Sequence, residues 1–315
     1  MVLNYKKYFI PNCCAKKEDD GGFITPRVKR SPNYWVLFDK RIILTYYYKN
    51  AFISITLMSL FVFILQFESL PAVYNNNTFL KNTVWVLYGV FIYLVLRIIT
   101  TDPGIIPKDT FSESLRRIIL EESLFMSMRA YEKNEKNYCV ICHHNMPEKT
   151  FHCRRCNCCV LDLDHHCKAL GSCIGKRNYH FFVLMLFVLL IINVIAFTIS
   201  TLLFYQEFST TGRSEWIYVL FKKYPLSGAL QLTTLLLFFP ITYMNTLHCK
   251  LISCEVGTYY YFLHTYNSPP ENGMKKFTLK KMLVNYFKLF KKPTQPSLLR
   301  IGHVSDDKLS SIIRN

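Results

Sequence analysis

The chain has 315 residues, of which 51% are hydrophobic and 16% aromatic, and its formal net charge is +17. The hydrophobic residues are gathered in blocks rather than spread along the chain, which argues against a pair of soluble domains. A charge of this size suits nucleic acid as well as membrane surfaces. The distribution of the charges, described below, favours a membrane surface.

Residues 1–49 form a polar, basic segment before the first apolar block. Cys13 and Cys14 stand there as a pair and are candidate acylation sites of the protein itself, with ordinary surface thiols as the alternative. The end of the segment has an aromatic and aliphatic patch of the kind found at membrane interfaces. Its members are Tyr34, Trp35, Leu37 and Phe38.

Two apolar runs follow, separated by a short polar loop. About 20 apolar residues cross a bilayer, and the first run therefore predicts a transmembrane helix at residues 50–68. The loop covers residues 69–82, and the second run predicts a transmembrane helix at residues 83–99. Arg97 lies at the end of this run, where its long side chain can reach the membrane surface.

A long segment at residues 100–180 separates the second and third apolar runs. It begins with the strong turn signal Asp102-Pro103-Gly104. Residues 111–131 then have apolar side chains at helical spacing, which predicts an amphipathic helix.

A region dense in cysteine and histidine follows in the same segment. Eight of the twelve cysteines lie between Cys139 and Cys173. The pattern C-x2-C-x9-H-x6-C occurs twice there, and the second copy is displaced by fourteen residues. Three thiolates and one imidazole form a closed tetrahedral zinc site, so we expect two structural zinc ions in one interleaved domain at about residues 137–187. The predicted ligands are Cys139, Cys142, His152 and Cys159 for one ion and Cys153, Cys156, His166 and Cys173 for the other.

Cys158, Asp164, His165 and Cys167 belong to neither ligand set. Asp164, His165 and Cys167 surround the predicted ligand His166. A carboxylate, an imidazole and a free thiol at this spacing indicate a nucleophile, its base and the group that orients the base. Cys158 has no such neighbours, and we interpret it as a structural or incidental thiol.

Two more apolar runs complete the membrane-spanning part. They predict transmembrane helices at residues 181–204 and 226–247, joined by a loop at residues 205–225. Pro240 interrupts the last run and should kink that helix. The fold class predicted from the sequence is therefore an α-helical membrane protein with four transmembrane helices and a zinc-bound, cysteine-rich domain between the second and third.

The tail at residues 248–315 is polar and basic. It contains apolar residues at helical spacing among many lysines, which predicts a basic amphipathic helix on anionic lipid. A solvated basic tail is the alternative. The apolar positions are Leu279, Met282, Leu283, Tyr286 and Phe290.

The basic residues predict the orientation of the chain in the membrane. Of the 38 Lys and Arg residues, 34 lie in the N-terminal segment, the long segment between spans two and three, and the tail, if Arg97 at the end of span two is counted with the long segment. Such residues concentrate on the cytosolic side, so both termini and the cysteine-rich domain are predicted to be cytosolic. Thiols stay reduced there, which favours metal over the alternative of a disulfide cluster.

The position of Cys167 indicates the class of substrate. The third span begins about fourteen residues after it, so the thiol should lie at the membrane face and meet a molecule with one end in lipid and the other in water. A long-chain acyl-CoA such as palmitoyl-CoA fits, with its anionic CoA part facing Lys168, Lys176 and Arg177. Cys167 would attack the thioester, His165 would take the thiol proton, and Asp164 would hold the imidazole.

The run HCRRCNCCVLDLDHHC, from His152 to Cys167, resembles the DHHC-type protein S-acyltransferases, the palmitoyltransferases. The resemblance also covers Cys173, Asn178, the four-span layout and the Asp-Pro-Gly turn. It implies two Cys3His zinc sites at the ligand sets given above. It also implies a two-step reaction, in which Cys167 is acylated and then passes the acyl group to cytosolic cysteines of membrane-associated proteins. The commonest location in the family is the Golgi or ER membrane, with the plasma membrane as an alternative.

The chain departs from the family pattern at several places. Lys168 and Ala169 stand where Pro-Trp is usual, and Gly171-Ser172 replaces Asn-Asn before Cys173. Of the Thr-Thr-x-Glu motif after the fourth span, only Thr258 is present. The C-terminal Asn-containing motif is partial around Ser268, Pro269 and Gly273. We expect these changes to bear on rate and acyl-chain preference more than on zinc binding.

Two other classes of protein are alternatives to an enzyme. A zinc-braced membrane adaptor with weak or no transferase activity is suggested by the departures from the family pattern. A membrane-tethered nucleic-acid finger would need basic side chains aligned on a helix after the ligands, whereas this chain enters a transmembrane run. The presence of Asp164, His165 and Cys167 together favours the enzyme.

Overall fold

The computed structural model describes most of the chain after residue 32. The described residues are 33–37, 42–74, 77–107, 138–139, 141–142, 144–147, 149–211, 218, 222–259, 261–262, 277–291 and 297–301. Several sequence predictions lie outside them: the amphipathic helix at residues 111–131, Phe38, the Cys13–Cys14 pair, and the partial motif around Ser268 and Gly273.

Four long helices form the framework of the structure. They are α1 (Lys49–Tyr74), which contains a π-helical turn at Leu65–Ser69, α2 (Thr78–Thr100), α3 (Tyr179–Thr211) and α4 (Pro225–Cys254). Each is long and apolar enough to cross a membrane by length and composition. The predicted fold class, four apolar helices with a cysteine-rich domain between the second and third, is confirmed.

The helices extend beyond the apolar runs that predicted them. Residues 69–74 and 205–211, expected as loop, are helical. Polar residues continue or cap a helix once an apolar run has established it. The side chain of Asn77, for example, accepts a hydrogen bond from the backbone N–H of Leu80 and so caps α2. The α4 helix passes Pro240 without a break and ends at Glu255, which has a left-handed backbone conformation.

The helices pack around one apolar core in which α3 lies along α4 and α2. Buried polar side chains tie neighbouring helices together: Asn245 of α4, for example, donates to the backbone oxygen of Leu186 in α3 at 3.2 Å. Hydrogen bonds of this kind hold helices together in lipid, where water does not compete. The core residues include Val62, Leu94, Ile98, Phe182, Ile192 and Leu230.

Short strands build the rest of the structure. A hairpin of β1 (Tyr34–Leu37) and β2 (Ile42–Thr45) precedes α1, and β3 (Ile105–Ile106) follows α2. Six further strands make three consecutive hairpins. These are hairpin A, β4 (Tyr138–Cys139) with β5 (His144–Asn145); hairpin B, β6 (Phe151–Cys153) with β7 (Cys158–Val160); and hairpin C, β8 (His165–Cys167) with β9 (Ser172–Ile174).

The three hairpins have the same register. Cys139 lies opposite His144 in hairpin A, Cys153 opposite Cys158 in B, and Cys167 opposite Ser172 in C. Each hairpin is therefore displaced by fourteen residues from the one before. The period of the sequence pattern is the length of one hairpin unit, and the structure contains three units rather than the two that the ligand pattern indicates.

Two helices of the tail pack on this framework. The predicted basic amphipathic segment is a helix, α5 (Leu279–Lys291), which lies against α4. The short helix α6 (Leu298–Ile301) lies against β3.

Candidate active site

Both predicted ligand sets come together in the structure. The four ligand atoms of each set lie within 4.8 Å of one another. In the first set, Nδ1 of His152 is 3.6, 3.3 and 3.8 Å from the sulfurs of Cys139, Cys142 and Cys159. In the second, Nδ1 of His166 is 3.6, 3.3 and 3.6 Å from the sulfurs of Cys153, Cys156 and Cys173.

These distances fit tetrahedral zinc. With Zn–S near 2.3 Å and Zn–N near 2.05 Å, a tetrahedral centre separates its sulfur and nitrogen ligands by about 3.6 Å. Six of the eight ligands are buried thiols that form no disulfide. The chemistry of the donor set and its spacing therefore both suit a closed structural zinc site, in which the ion supplies folding energy rather than reactivity.

Each metal set joins two neighbouring hairpins. The first takes its Cys-x2-Cys pair from the segment of hairpin A and its other ligands, His152 and Cys159, from hairpin B. The second takes its pair from hairpin B and the other two, His166 and Cys173, from hairpin C. Two ions bound in these sets would fasten three hairpins in series.

Cys167 is in neither set, and its hairpin lacks the cysteine that would complete a Cys-x2-Cys pair with it. It occupies the position in hairpin C that the ligands Cys139 and Cys153 occupy in A and B. The second cysteines of the pairs in A and B are Cys142 and Cys156, and fourteen residues after Cys156 the chain has Leu170. Cys167 is the first half of a metal-binding pair without its partner.

The surroundings of Cys167 differ from those of the ligand thiols. It is half-buried and packs against the core of the four-helix bundle, together with Leu170 and Ile174. The thiol therefore lies where hairpin C meets the apolar helices. A thiol at this position is accessible both to water and to an apolar molecule that lies along the helices.

Asp164 and His165 are joined directly. Oδ2 of Asp164 accepts a hydrogen bond from Nδ1 of His165 at 2.7 Å. This fixes the proton on Nδ1 and leaves Nε2 as the ring nitrogen that can exchange a proton with another group. The ring of His165 also packs edge-on against Phe182 of α3, with centroids 5.1 Å apart.

Thr258 holds the carboxylate of Asp164 from the other side. Its backbone N–H donates to Oδ1 at 2.7 Å and its hydroxyl donates to Oδ2 at 2.9 Å. This threonine is the remaining member of the Thr-Thr-x-Glu motif. The chain that follows α4 therefore returns to fix the orienting acid of hairpin C.

The hydrogen bonds set the charges of this pair. Burial alone would raise the pKa of Asp164, but the bonds from His165 and Thr258 outweigh burial and hold it below its ordinary value. Burial alone would lower the pKa of His165, but its interactions with Asp164 and Cys167 raise it to about 9. The ring is then positively charged at neutral pH.

A second histidine lies beside this group. His248 of α4 is buried, its ring centroid is 6.5 Å from that of His165, and Phe182 contacts both rings. Nδ1 of His248 is 3.0 Å from the hydroxyl of Tyr179. The sequence gives no signal for His248, because a single histidine at the end of an apolar run cannot be distinguished from any other polar residue there.

The turn after Cys167 is anchored to the beginning of α1. The backbone oxygen of Lys168 accepts from the side chain of Asn50 at 2.8 Å, and that of Ala169 accepts from the hydroxyl of Ser54 at 2.8 Å. The hydroxyl of Thr45 donates to the backbone oxygen of Gly171. Gly171 has φ of +62°, and a Cβ there would overlap the Tyr47 backbone, so only glycine fits.

The three residues predicted to face CoA lie in different settings. Lys168 is exposed next to Cys167. Nζ of Lys176 is 3.8 Å from a carboxylate oxygen of Asp162, and Arg177 forms an ion pair with Asp102 at 2.9 Å. Their role toward CoA stays a prediction, and Lys168 is the one best placed for it.

Asp102 has a structural role that the turn motif did not predict. Its Oδ1 accepts from the backbone N–H groups of Gly104 and Ile105, each at 2.8 Å, and its Oδ2 accepts from the hydroxyl of Ser297 at 2.5 Å. Together with Arg177, these contacts fasten the end of α2, hairpin C and the tail to one buried carboxylate. Cys158 is also buried, against the core of hairpin B, as expected of a structural thiol.

Comparison with known proteins finds similarity over part of the chain. Residues 132–266 match the sequence model of the DHHC palmitoyltransferase family. The chain is 29% identical over 262 residues to "Probable protein S-acyltransferase 6" of Arabidopsis thaliana, covering 77% of this chain and 60% of the relative. It is 28% identical over 233 residues to "Palmitoyltransferase ZDHHC18" of Mus musculus, covering 68% and 60%, and 31% identical over 169 residues to "Palmitoyltransferase ERF2" of Kluyveromyces lactis, covering 50% and 47%. The chain thus spans less than two thirds of the length of each of these relatives.

Proposed function

From the DHHC palmitoyltransferase domain that this chain carries over residues 132–266, we propose that the protein is an integral membrane protein S-acyltransferase. It takes a long-chain acyl group from acyl-CoA onto Cys167 and transfers it to cysteine thiols of other proteins. One observation carries the proposal: a thiol outside both metal sets lies on the helix bundle, next to an imidazole that an ionised, doubly held carboxylate orients.

In the first step the proton of the Cys167 thiol has passed to Nε2 of His165, so that the ring carries the positive charge and the sulfur is a thiolate. The thiolate attacks the carbonyl carbon of the acyl-CoA thioester, a carbon–sulfur bond forms to Cys167, and the bond to the CoA sulfur breaks. The departing sulfur takes the proton from His165, whose charge Asp164 stabilises throughout. Thr258 keeps the carboxylate in place for this role.

In the second step a substrate cysteine replaces CoA. His165 takes its proton, the new thiolate attacks the acyl carbon on Cys167, and the sulfur of Cys167 leaves and takes the proton back. One thioester is exchanged for another in each step, so no nucleotide is consumed. The sequence contains none of the usual phosphate-binding loops, in agreement with this balance.

The two zinc ions would act on geometry alone. When bound to the sets of His152 and His166, they would close the three-hairpin domain and fix the strand of hairpin C that contains Cys167. The residue before Cys167 is itself a ligand, so the reactive thiol would be held within one peptide unit of a rigid centre. The position at the membrane face restricts acceptors to thiols that come near the bilayer.

The substrates that fit are membrane-associated proteins with cysteines on the side of the membrane that holds the hairpins. The distribution of lysine and arginine supports a cytosolic location for that side and for both termini. We place the protein in the Golgi or ER membrane, with the plasma membrane as the alternative. The exposed cation of Lys168, next to the thiol, supports binding of an anionic co-substrate such as CoA.

The test is covalent labelling of the purified full-length protein with radioactive palmitoyl-CoA. The expected result is a hydroxylamine-labile adduct that Cys167→Ser abolishes while both zinc ions are retained. Cys249→Ser, which removes a half-buried thiol on α4, serves as the matched control and should keep the adduct. A label that persists on Cys167→Ser excludes Cys167 as the acceptor. A wild-type protein that holds two zinc ions and never acquires label would instead support a zinc-braced adaptor.

A further inference from the structure

The α5 helix is fixed against the end of α4 by polar contacts. The side chain of Asn285 donates to the backbone oxygen of Ile252 at 3.0 Å. The hydroxyl of Ser253 pairs with the backbone of Thr278, just before α5, in both directions at 3.1 and 3.2 Å. The bond from Asn285 reaches a carbonyl group in the last turn of α4, where the helix supplies no partner four residues on. The helix is therefore a fixed part of the bundle at the end that also contains hairpin C.

Aromatic contacts place α5 at the height of a membrane surface. Tyr286 packs edge-on against Phe187 of α3 with centroids 5.9 Å apart, and Phe290 packs against His180 at 5.8 Å. Phe187 is eight residues after the first residue of α3, which is a rise of about 12 Å. His180 lies one residue before the predicted third span at residues 181–204, so α5 lies near the predicted boundary between lipid headgroups and hydrocarbon.

Around its circumference α5 has three different faces. Met282, Asn285 and Tyr286 face the bundle and are partly buried. One flank beyond them is apolar and exposed, and the other is basic, since the helix has four lysines and no acidic residue. The apolar flank consists of Leu279, Leu283, Phe287 and Phe290, and the basic flank of Lys280, Lys281 and Lys288.

A cleft of about 420 Å³ opens between the basic flank and the end of α4. Lys280, Lys281 and Lys288 line it, opposed by the single carboxylate of Glu255. Ser253, Val284 and Asn285 complete the wall. Three cations against one anion leave a positive cleft, and it lies beside an exposed apolar stripe at the height where phosphates of the bilayer are found.

We propose that this cleft binds the headgroup of an anionic phospholipid. The phosphate lies among the three lysines, and the acyl chains run along the apolar stripe of α5. Cation and apolar surface on adjoining flanks of one rigid helix match the two ends of such a lipid. The site is separate from Cys167, and the proposal does not depend on transferase activity.

The test counts lipids bound to the purified full-length protein in neutral detergent by native mass spectrometry. The probes are dioleoylphosphatidylserine and, as the neutral comparison, dioleoylphosphatidylcholine. Each lysine near an anionic lipid contributes about a fivefold gain in association, so the double variant Lys280→Gln, Lys288→Gln should bind phosphatidylserine about 30-fold more weakly. The matched control is Lys222→Gln, Lys223→Gln, which removes two exposed charges near the other end of α4 and should leave binding unchanged.

A second pair of changes separates a lipid from a free phosphate. Leu283→Ser with Phe287→Ser removes two members of the apolar stripe and should also weaken phosphatidylserine binding. Inorganic phosphate at the same concentration should not displace the lipid. Equal losses in the two lysine pairs, equal binding of the two lipids, or displacement by inorganic phosphate with the apolar variant unaffected would each overturn the proposal. Retention of two zinc ions in every variant reports that the fold is intact.

Discussion

Hairpins B and C have the same strand lengths and the same register, yet their leading cysteines have different roles. Cys153 of hairpin B and Cys167 of hairpin C occupy equivalent positions. Cys153 pairs with Cys156 in a metal set, whereas the equivalent of Cys156 in hairpin C is Leu170. The comparison teaches that one missing partner separates a structural ligand from a candidate nucleophile on an otherwise repeated backbone.

The two hairpins also differ in the residues just before the leading cysteine. Hairpin B has Phe151 where hairpin C has His165, and Phe151 packs on Tyr259 with centroids 4.1 Å apart. Thr258, the residue before Tyr259, instead donates a hydrogen bond to Asp164. Asp164 lies two residues before the predicted ligand His166. The short segment after α4 therefore contacts both hairpins. It packs an aromatic ring on hairpin B and donates hydrogen bonds to the carboxylate next to hairpin C.

The largest effect should come from breaking hairpin B. Cys156→Ser removes a ligand of the second set, and we expect the zinc content to fall from two ions per chain to one, with loss of acyl loading. A structural zinc ion contributes about 10–16 kcal/mol to folding, so the domain that fixes Cys167 should open. Metal analysis and palmitoyl-CoA labelling measure this. Cys158→Ala, at a buried thiol outside both sets, is the control, and equal zinc loss there would contradict the ligand assignment.

The comparison can be tested in the opposite direction by making hairpin C resemble hairpin B. Leu170→Cys supplies the missing partner of Cys167. Added zinc should then bind the new pair and suppress acyl loading almost completely, because the free thiolate is the nucleophile in the proposed reaction. The control Leu170→Ser loses a similar buried volume without adding a thiol. Labelling with and without micromolar zinc distinguishes them, and an identical response of the two variants would refute the idea.

A smaller effect is expected at the residue that supports hairpin C alone. Thr258→Val removes the hydroxyl bond to Asp164 and keeps the backbone bond. A hydrogen bond to a charged group contributes about 1.5–3 kcal/mol, so the rate of acyl loading should fall about tenfold or more while the zinc content stays at two. Thr246→Val, whose hydroxyl bonds only within α4, should change neither quantity. A normal rate in Thr258→Val would mean that the carboxylate needs no support from this side chain.

The smallest expected effect is a pH dependence that only hairpin C can show. The pKa of His165 is raised from 6.5 to about 9. The stabilisation from its positive charge is therefore complete below pH 6.5 and is lost as pH rises through about 9. The initial rate of acyl loading should accordingly decline above pH 9, where the ring no longer holds a proton beside the leaving sulfur. His165→Gln should load slowly and lack this decline, and a decline that persists in that variant belongs to another group.

The sequence predicts the local features of this molecule well. The two clusters of candidate metal ligands follow from spacing, since the pattern that places His152 and His166 relative to their cysteines occurs twice. The apolar runs predict four helices. The search for repeated ligand patterns does not find the third hairpin, because Leu170 stands where the second cysteine of a Cys-x2-Cys pair would be. The fourteen-residue period nevertheless continues to Cys167. Helix ends are also underestimated, since polar residues such as Asn77 extend or cap a helix beyond its apolar run.

The contacts that position the site could not be read from the sequence because they join distant segments. Thr258 and Asp164 are separated by 94 residues, and Ser297 and Asp102 by 195. No periodicity links such pairs, and a threonine or serine has no signature until the chain has folded. His248 could not be predicted for the same reason, since only its position beside His165 in the folded chain distinguishes it.

The anchoring of the turn after Cys167 has a consequence for engineering. The side chains of Asn50 and Ser54 hold the carbonyls of Lys168 and Ala169, so the main chain is restrained although the stiffening proline usual at position 168 is missing. These anchors, like Asp102 and Ser297, lie outside the 132–266 segment that matches the family. A graft of that segment alone into another scaffold would carry the ligands and the thiol but leave the turn untethered, so a transplantable unit must extend from about residue 45 to residue 301.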